Sequence, residues 1–442
     1  MSVATYSYAR SSALTAEGLD LQTSGGSGTH PRFFDGFMTT PQTVAQGLLA
    51  VAEVARARYF QRTDWASLDP VVTGSDEMLR FESFSGCCGV YARMDVLPSG
   101  LDGERPEHGT TNVDVNVPLQ LALARVGGLD PLHLAVGPQD LTVSTMDGSV
   151  VERKVPLPGR WLRGFAQVHA ITAGMEPRLR VDAAQAADFL RRLPKGRDTL
   201  WVVPAGRGLR LTARAVPGAV CLAGTDRLGA LRGLVRHAGT LTVYGPAVRP
   251  GSGPVASVWE LATPTLRLSL TLSPEPYRGF SGEGAVLESL AADDVADAAD
   301  RISEVLALAP TLDTDALAVA TGLPSERVRS GLALLGTAGR VGYDVAEATY
   351  FHRVMPFPAA AEKLNPRLAG ARSLIAAGAV TVTADLALVR GNDATYQVRL
   401  ADGAPAGCTC PWWAKHRGDR GPCRHQLAVT LTLAGTLTGA AS

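Results

Sequence analysis

Cys408, Cys410, Cys423 and His425 carry the clearest chemistry in this 442-residue chain: C-T-C, the loop PWWAKHRGDRGP, then C-R-H. Three thiols and an imidazole in two tight pairs suit a tetrahedral Cys₃His site for Zn²⁺. Four protein ligands close such a site, with no position for a substrate or an activated water. The pattern points to structure and binding and away from hydrolysis.

The elements around these residues must aim them at one ion. Alternate residues of an extended strand share a face, so Cys408 and Cys410 can converge. Residues two apart on a helix diverge, so Cys423 must precede the helix that His425 enters, and Pro422 keeps it out of helix. Upstream, Val380, Val382, Leu386 and Leu388 alternate with polar residues, Gly391, Asn392 and Asp393 form a turn, and Tyr396, Val398 and Leu400 resume the alternation. The expected unit is ββα around zinc, over residues 379–437. His416 is an alternative fourth ligand, though its distance from Cys423 favours a surface role.

These four residues and their spacing resemble the SWIM zinc-finger family, C-x-C followed by a variable loop and C-x-H, and the resemblance makes Cys408, Cys410, Cys423 and His425 the zinc ligands. It covers about the last sixth of the chain. The longer segments RFFDGF, GCCGVYARMDV, GTTNVDVNVP, YRGFSGEG and FHRVMPF extend the likeness to a bacterial, actinobacterial-type group of SWIM proteins. That likeness implies a protein- or DNA-binding module, and partners among MoxR-type AAA+ ATPases and von Willebrand A domain proteins.

The loop between the ligand pairs admits two readings. Trp412, Trp413, Lys415, Arg417, Arg420 and Arg424 interleave aromatics with cations, which suits base stacking and phosphate contact. Equally, a tryptophan can fill a small core, and the arginines can offset the single negative charge of three thiolates on Zn²⁺.

Composition bounds the rest. The chain has 46% hydrophobic and 19% charged residues, with 42 Lys+Arg against 42 Asp+Glu. It is globular, and its balanced charge argues neither for nor against a nucleic-acid partner. Most of its cations are arginines, as in a GC-rich coding sequence, so arginine clusters weigh less than usual. No apolar run reaches membrane-spanning length, the N-terminus lacks a signal-peptide core, and six cysteines do not make a disulfide framework. A cytoplasmic location is expected.

The fold class read from this is α+β and multidomain. Residues 1–30 form a loosely ordered N-terminus, 31–116 an α+β region and 117–285 a mixed α/β domain. Residues 286–356 form a winged-helix-like domain and 357–378 a linker and helix before the finger. In the winged-helix-like unit Thr314 and Ser325 are candidate helix caps and Gly322 a terminator. Arg327, Arg329 and Ser330 are its candidate readout residues, a thin set for DNA beside an acidic first helix, so protein contact is at least as good a reading. Cys87 and Cys88 read as buried thiols, with a second metal site involving His108 as the alternative. The segment Arg278–Gly284 lacks the endings of a phosphate-binding loop and of a nucleophile elbow and reads as a tight entry into a helix. His133, His169 and His237 have no partner nucleophile in sequence. No catalytic constellation emerges, so the expectation is a non-enzymatic, zinc-containing adaptor, with a DNA- or RNA-binding protein as the alternative.

Overall fold

The computed structural model describes residues 13–15, 18–20, 32–60, 70–75, 77–155, 159–206, 208–291, 295–309, 311–353, 365–391 and 394–439. Most of the N-terminal segment, the start of the 357–378 linker and the Asn392–Asp393 turn lie outside them.

An eight-stranded antiparallel sheet organises the body. Its order is Glu176–Asp182, Thr240–Gly245, Ser257–Ala262, Leu266–Leu272, Val90–Val96, Met78–Phe84, Val71–Ser75 and Gly109–Asn112. Strands from both sides of residue 116 share this one sheet, because Val90–Val96 pairs along its full length with Leu266–Leu272. Local pattern cannot reveal a pairing that spans so much chain.

Two-residue alternation divides the sheet into two faces. On one, Leu79, Phe81, Ala92, Met94, Leu266, Leu268, Leu270 and Trp259 join the main core, which the helix Pro41–Arg56 covers. On the other lie Arg80, Glu82, Tyr91, Arg93, Asp95, Glu260 and Arg267, and they too are buried. The helix Gly159–Thr172 and the hairpin Val341–Asp344/Thr349–His352 form a second layer over that polar face.

The hairpin belongs to a unit of helices Val295–Leu308, Thr314–Thr321 and Ser325–Thr337, with the strand Thr311–Leu312 pairing on Thr349–His352. Gly322 ends the middle helix in the left-handed region, φ 68°. The caps fall one residue before Thr314 and Ser325. Asp313 accepts the Ala316 N–H at 2.7 Å, and Pro324 precedes the next helix. Ser325–Thr337 packs against Val295–Leu308 and Gly159–Thr172, burying Val328, Ser330 and Leu332.

Further sheets comprise five strands (Gly148–Arg153, Asp140–Thr145, His133–Val136, Phe34–Met38, Leu101–Gly103) and three strands (Gly208–Thr212, Thr199–Ala205, Val220–Ala223). At the C-terminal end the helix Pro366–Ala376 precedes four sequential antiparallel strands, Val380–Val382, Leu386–Arg390, Thr395–Ala401 and Ala404–Cys408. The helices Pro411–His416 and Arg424–Gly439 follow. This exceeds the expected ββα. Asp402 and Gly403, both at positive φ, turn the third strand into a fourth.

Candidate metal centre and its seat on the body

Cys408 ends the last strand. The chain stays extended through Cys410 (φ −75°, ψ 156°), which keeps the two thiols converging although only one is in the strand. Cys410 then caps the helix Pro411–His416: its sulfur accepts the Trp413 N–H at 3.4 Å, and Pro411 occupies the first helical position. Cys423 does the same for the last helix. Its sulfur accepts the Gln426 N–H at 3.4 Å while its own N–H donates to Gln426 Oε1 at 3.1 Å, a capping box with sulfur in place of a hydroxyl. His425 rides the first turn, its ring stacked on Tyr396 with centroids 4.3 Å apart.

The ligand atoms of Cys408, Cys410, Cys423 and His425 all lie within 4.8 Å of one another. Cys408 Sγ is 3.7 Å from His425 Nδ1. Zinc–sulfur and zinc–nitrogen bonds at a tetrahedral angle place such atoms about 3.6 Å apart. Cys410, Cys423 and His425 are almost completely buried. The Cys423 thiol is drawn down to about 4, first by the hydrogen bond from Cys408, then by His425 and the Gln426 N–H. One thiolate is thus already favoured, with two N–H donors aimed at sulfur. The donor set is borderline-soft, four-coordinate and closed, which fits Zn²⁺.

Among the described residues this is the one grouping of three or more metal-ligating side chains. Cys87 and Cys88 are buried thiols, and burial pushes Cys88 up to about 12. His416 rests on the Trp412 ring, with centroids 4.4 Å apart. His133 pairs with Asp35 at 2.9 Å, and His237 Nε2 accepts from Arg236. The ring of His169 accepts the Tyr343 N–H at 3.0 Å. None of the three meets a nucleophile in these contacts.

The loop residues divide between two environments. Lys415, Arg417 and Arg424 are exposed. Trp412 and Arg420 turn toward the body. The Arg367 guanidinium lies 4.6 Å over the Trp412 ring and that of Arg420 5.5 Å from it. Arg420 donates to the Gly282 carbonyl at 2.8 Å. Arg367 donates to the carbonyls of Arg420 (2.8 Å), Pro422 (2.9 Å) and Glu283 (2.8 Å), and Arg278 donates to that of Asp419 (2.7 Å) while gripping Glu283 with two nitrogens.

This seam explains Gly282 and Gly284 of the Arg278–Gly284 segment, which seat the 411–422 loop, whereas Gly279 lies against the Cys87 carbonyl. A Cβ on Gly284 would sit 2.6 Å from the Arg420 carbonyl oxygen, and one on Gly421 2.5 Å from that of Gly284. Arg278, Glu283 and Arg367 were not apparent as site residues in the sequence. The one available signal was the glycine density of that segment, which does not name its partner.

Residues 388–434 match the SWIM zinc finger family. No curated protein matches the chain. Among solved structures the chain is similar to the proliferating cellular nuclear antigen of Entamoeba histolytica, at TM-score 0.37 and 8% identity over 55% of this chain and 99% of that one. It is also similar to the PCNA2–PCNA3 complex of Sulfolobus tokodaii, at TM-score 0.38 and 10% identity over 55% of this chain and 100% of that one.

Proposed function

We propose that this protein, which carries a SWIM zinc finger over residues 388–434, is a non-catalytic adaptor whose zinc module presents a surface to protein partners. The observation that carries this reading is the closed donor set: all four candidate ligand positions come from the chain, and the Cys410 and Cys423 thiols also cap the helices that follow them. The metal's role is then to hold the loop on the body. Zinc bound there would draw the three thiols into thiolates and fix residues 411–422.

The unit 295–352 has the element order of a winged helix, and its placement favours structural and protein contact over DNA readout. Its hairpin is clamped to the large sheet through Asp344, and Ser330, a candidate readout residue, is buried. The likeness to bacterial SWIM proteins suggests a MoxR-type AAA+ ATPase and a von Willebrand A protein as partners in the cytoplasm. Exposed Lys415, Arg417 and Arg424 favour a second reading, phosphate contact by the zinc loop.

Two experiments test these readings. Tagged full-length protein purified from its source should retain an ATPase partner, and recovery of the chain alone would count against the adaptor. Titration with single- and double-stranded DNA across salt concentrations should show no saturable binding. Binding that weakens steeply with salt and disappears in Lys415→Ala/Arg417→Ala/Arg424→Ala would establish the second reading instead.

A further inference from the structure

A groove far from the zinc module in sequence has a geometry that calls for a particular occupant. It has a volume of about 820 Å³ and lies between the helix Ala183–Arg192 and the strand Gly208–Thr212. On the helix side Ala184, Gln185, Asp188, Phe189, Arg192 and Leu193 line it, a spacing that marks one helical face. On the strand side four consecutive residues, 208–211, line it. Neighbouring residues of a strand point to opposite faces, so a cavity bordered by all four lies along the strand's edge.

That edge is open. Gly208–Thr212 is the outer strand of its sheet and pairs only with Thr199–Ala205. Among the described residues its outer side makes no backbone hydrogen bond. Exposed strand edges are normally blocked or covered, because their free N–H and C=O groups template pairing with another chain. Here the edge faces a floor containing Phe189, Leu193, Leu209 and Leu211.

The rim is cationic. Asp188 is shared by Arg191 at 2.7 Å and Arg192 at 3.1 Å, and Arg210 has no ion-pair partner among the described residues. Among the residues that line the groove, two guanidiniums, Arg192 and Arg210, therefore answer one carboxylate, Asp188.

We propose that this groove takes an extended segment of a partner protein that adds as a strand to Gly208–Thr212, with alternating apolar and acidic side chains. The strand's length admits about four or five residues of such a segment, the apolar ones on the floor and the acidic ones at the arginine rim. The site stands apart from the zinc module and does not rest on the adaptor reading.

The test is fluorescence anisotropy on the full-length protein, with a labelled nonapeptide of alternating valine and glutamate. Saturable binding is expected. Methylating every second backbone nitrogen of the peptide should weaken it at least about tenfold, as lost ladder bonds require. Arg192→Glu/Arg210→Glu, both at exposed positions, should weaken it similarly and favour a valine–lysine peptide. Cys423→Ser should leave the affinity unchanged, which separates this site from the zinc reading. No saturation at millimolar peptide, equal binding of the methylated peptide, or indifference to the double substitution would each overturn the proposal.

Discussion

One sulfur at Cys423 belongs to the Cys/His cluster suited to a metal ion and also caps the final helix. Serine can keep the cap and cannot replace the thiolate. Cys423→Ser should therefore reduce zinc from one equivalent per chain to a substoichiometric level. Amide exchange across residues 395–429 should rise by more than about tenfold as metal binding and folding of the module separate. Metal analysis with hydrogen exchange checks both, and full protection without zinc would contradict the coupling. Glu260 presents a different case. Burial raises its carboxyl to about 7, despite Arg267 and Arg93 nearby, and the Tyr244 hydroxyl donates to it at 3.3 Å. An unfolded glutamate titrates near ~4.3. Because the folded value is the higher one, the protonated carboxyl contributes fully below the unfolded value, and that contribution is lost as pH rises through 7. The loss is on the order of 3 kcal/mol. Chemical denaturation from pH 4 to 8 should show it in the parent protein and not in Glu260→Gln, and parallel curves would refute it. At Asp344 the sign reverses. The guanidiniums of Arg93, Arg80 and Arg267, 2.8–3.1 Å away, hold its carboxyl below the usual range, so its contribution is present above about pH 4 and lost in acid. Asp344→Asn leaves three buried cations, Arg80, Arg93 and Arg267, with buried Asp95 shared among them and the exposed Glu347 on Arg267, and should cost roughly 3–5 kcal/mol at neutral pH.

Within elements, the strands of the large sheet show why pattern has limits. MLRFESF, VYARMDV and LRLSLTL alternate apolar and polar residues, the signature of a strand with one wet face. The structure buries the polar face as well, pairing Arg80 with Asp95 at 2.6 Å and Arg353 with Glu82 beneath the second layer. The short helix Pro411–His416 was legible in part. Proline at its first position is a helix signal, but cysteine is an uncommon cap, so the segment reads as loop. Gly421 is held by two constraints, φ 74° and a 2.5 Å approach of the Gly284 carbonyl to any added Cβ. Gly421→Ala should loosen the seam without unfolding the body. Hydrogen exchange should rise at residues 417–422, and global stability should fall by about 1–2 kcal/mol. Unchanged exchange there would show that the loop has another anchor.

Over the whole molecule, the zinc module is held to the body by an apolar contact and a polar seam. Leu368, Ala371, Leu427 and Ala428 pack with Val286, Leu287 and Leu290, while Arg367, Arg278 and Arg420 bridge carbonyls across the join. The body has its own large cores, so chelation should melt the module and leave the eight-stranded sheet folded. Two separated calorimetric transitions in chelator, merging when zinc is restored, would show this, and a single transition in both conditions would contradict it. No helix of the described residues is long and apolar enough to cross a membrane.

The clustering of Cys408, Cys410, Cys423 and His425 was readable from residue types alone, because thiols and imidazole spaced in tight pairs have few other uses and the spacing is local. The same holds for the extended character of residues 386–390 and 395–401 and for Gly322 as a helix terminator, but not for the break between Val380–Val382 and Leu386–Arg390 or for the fourth strand Ala404–Cys408. Tertiary structure alone decided which surfaces stayed wet. It placed strands from both sides of residue 116 in one sheet, laid a hairpin over a charged face, and turned Arg367 and Arg420 inward onto the Glu283 and Gly282 carbonyls of a glycine-rich segment. An arginine that ends in solvent and one that ends in a buried cluster have the same local sequence pattern. The difference lies in contacts between residues far apart in the chain, which no short-range spacing records.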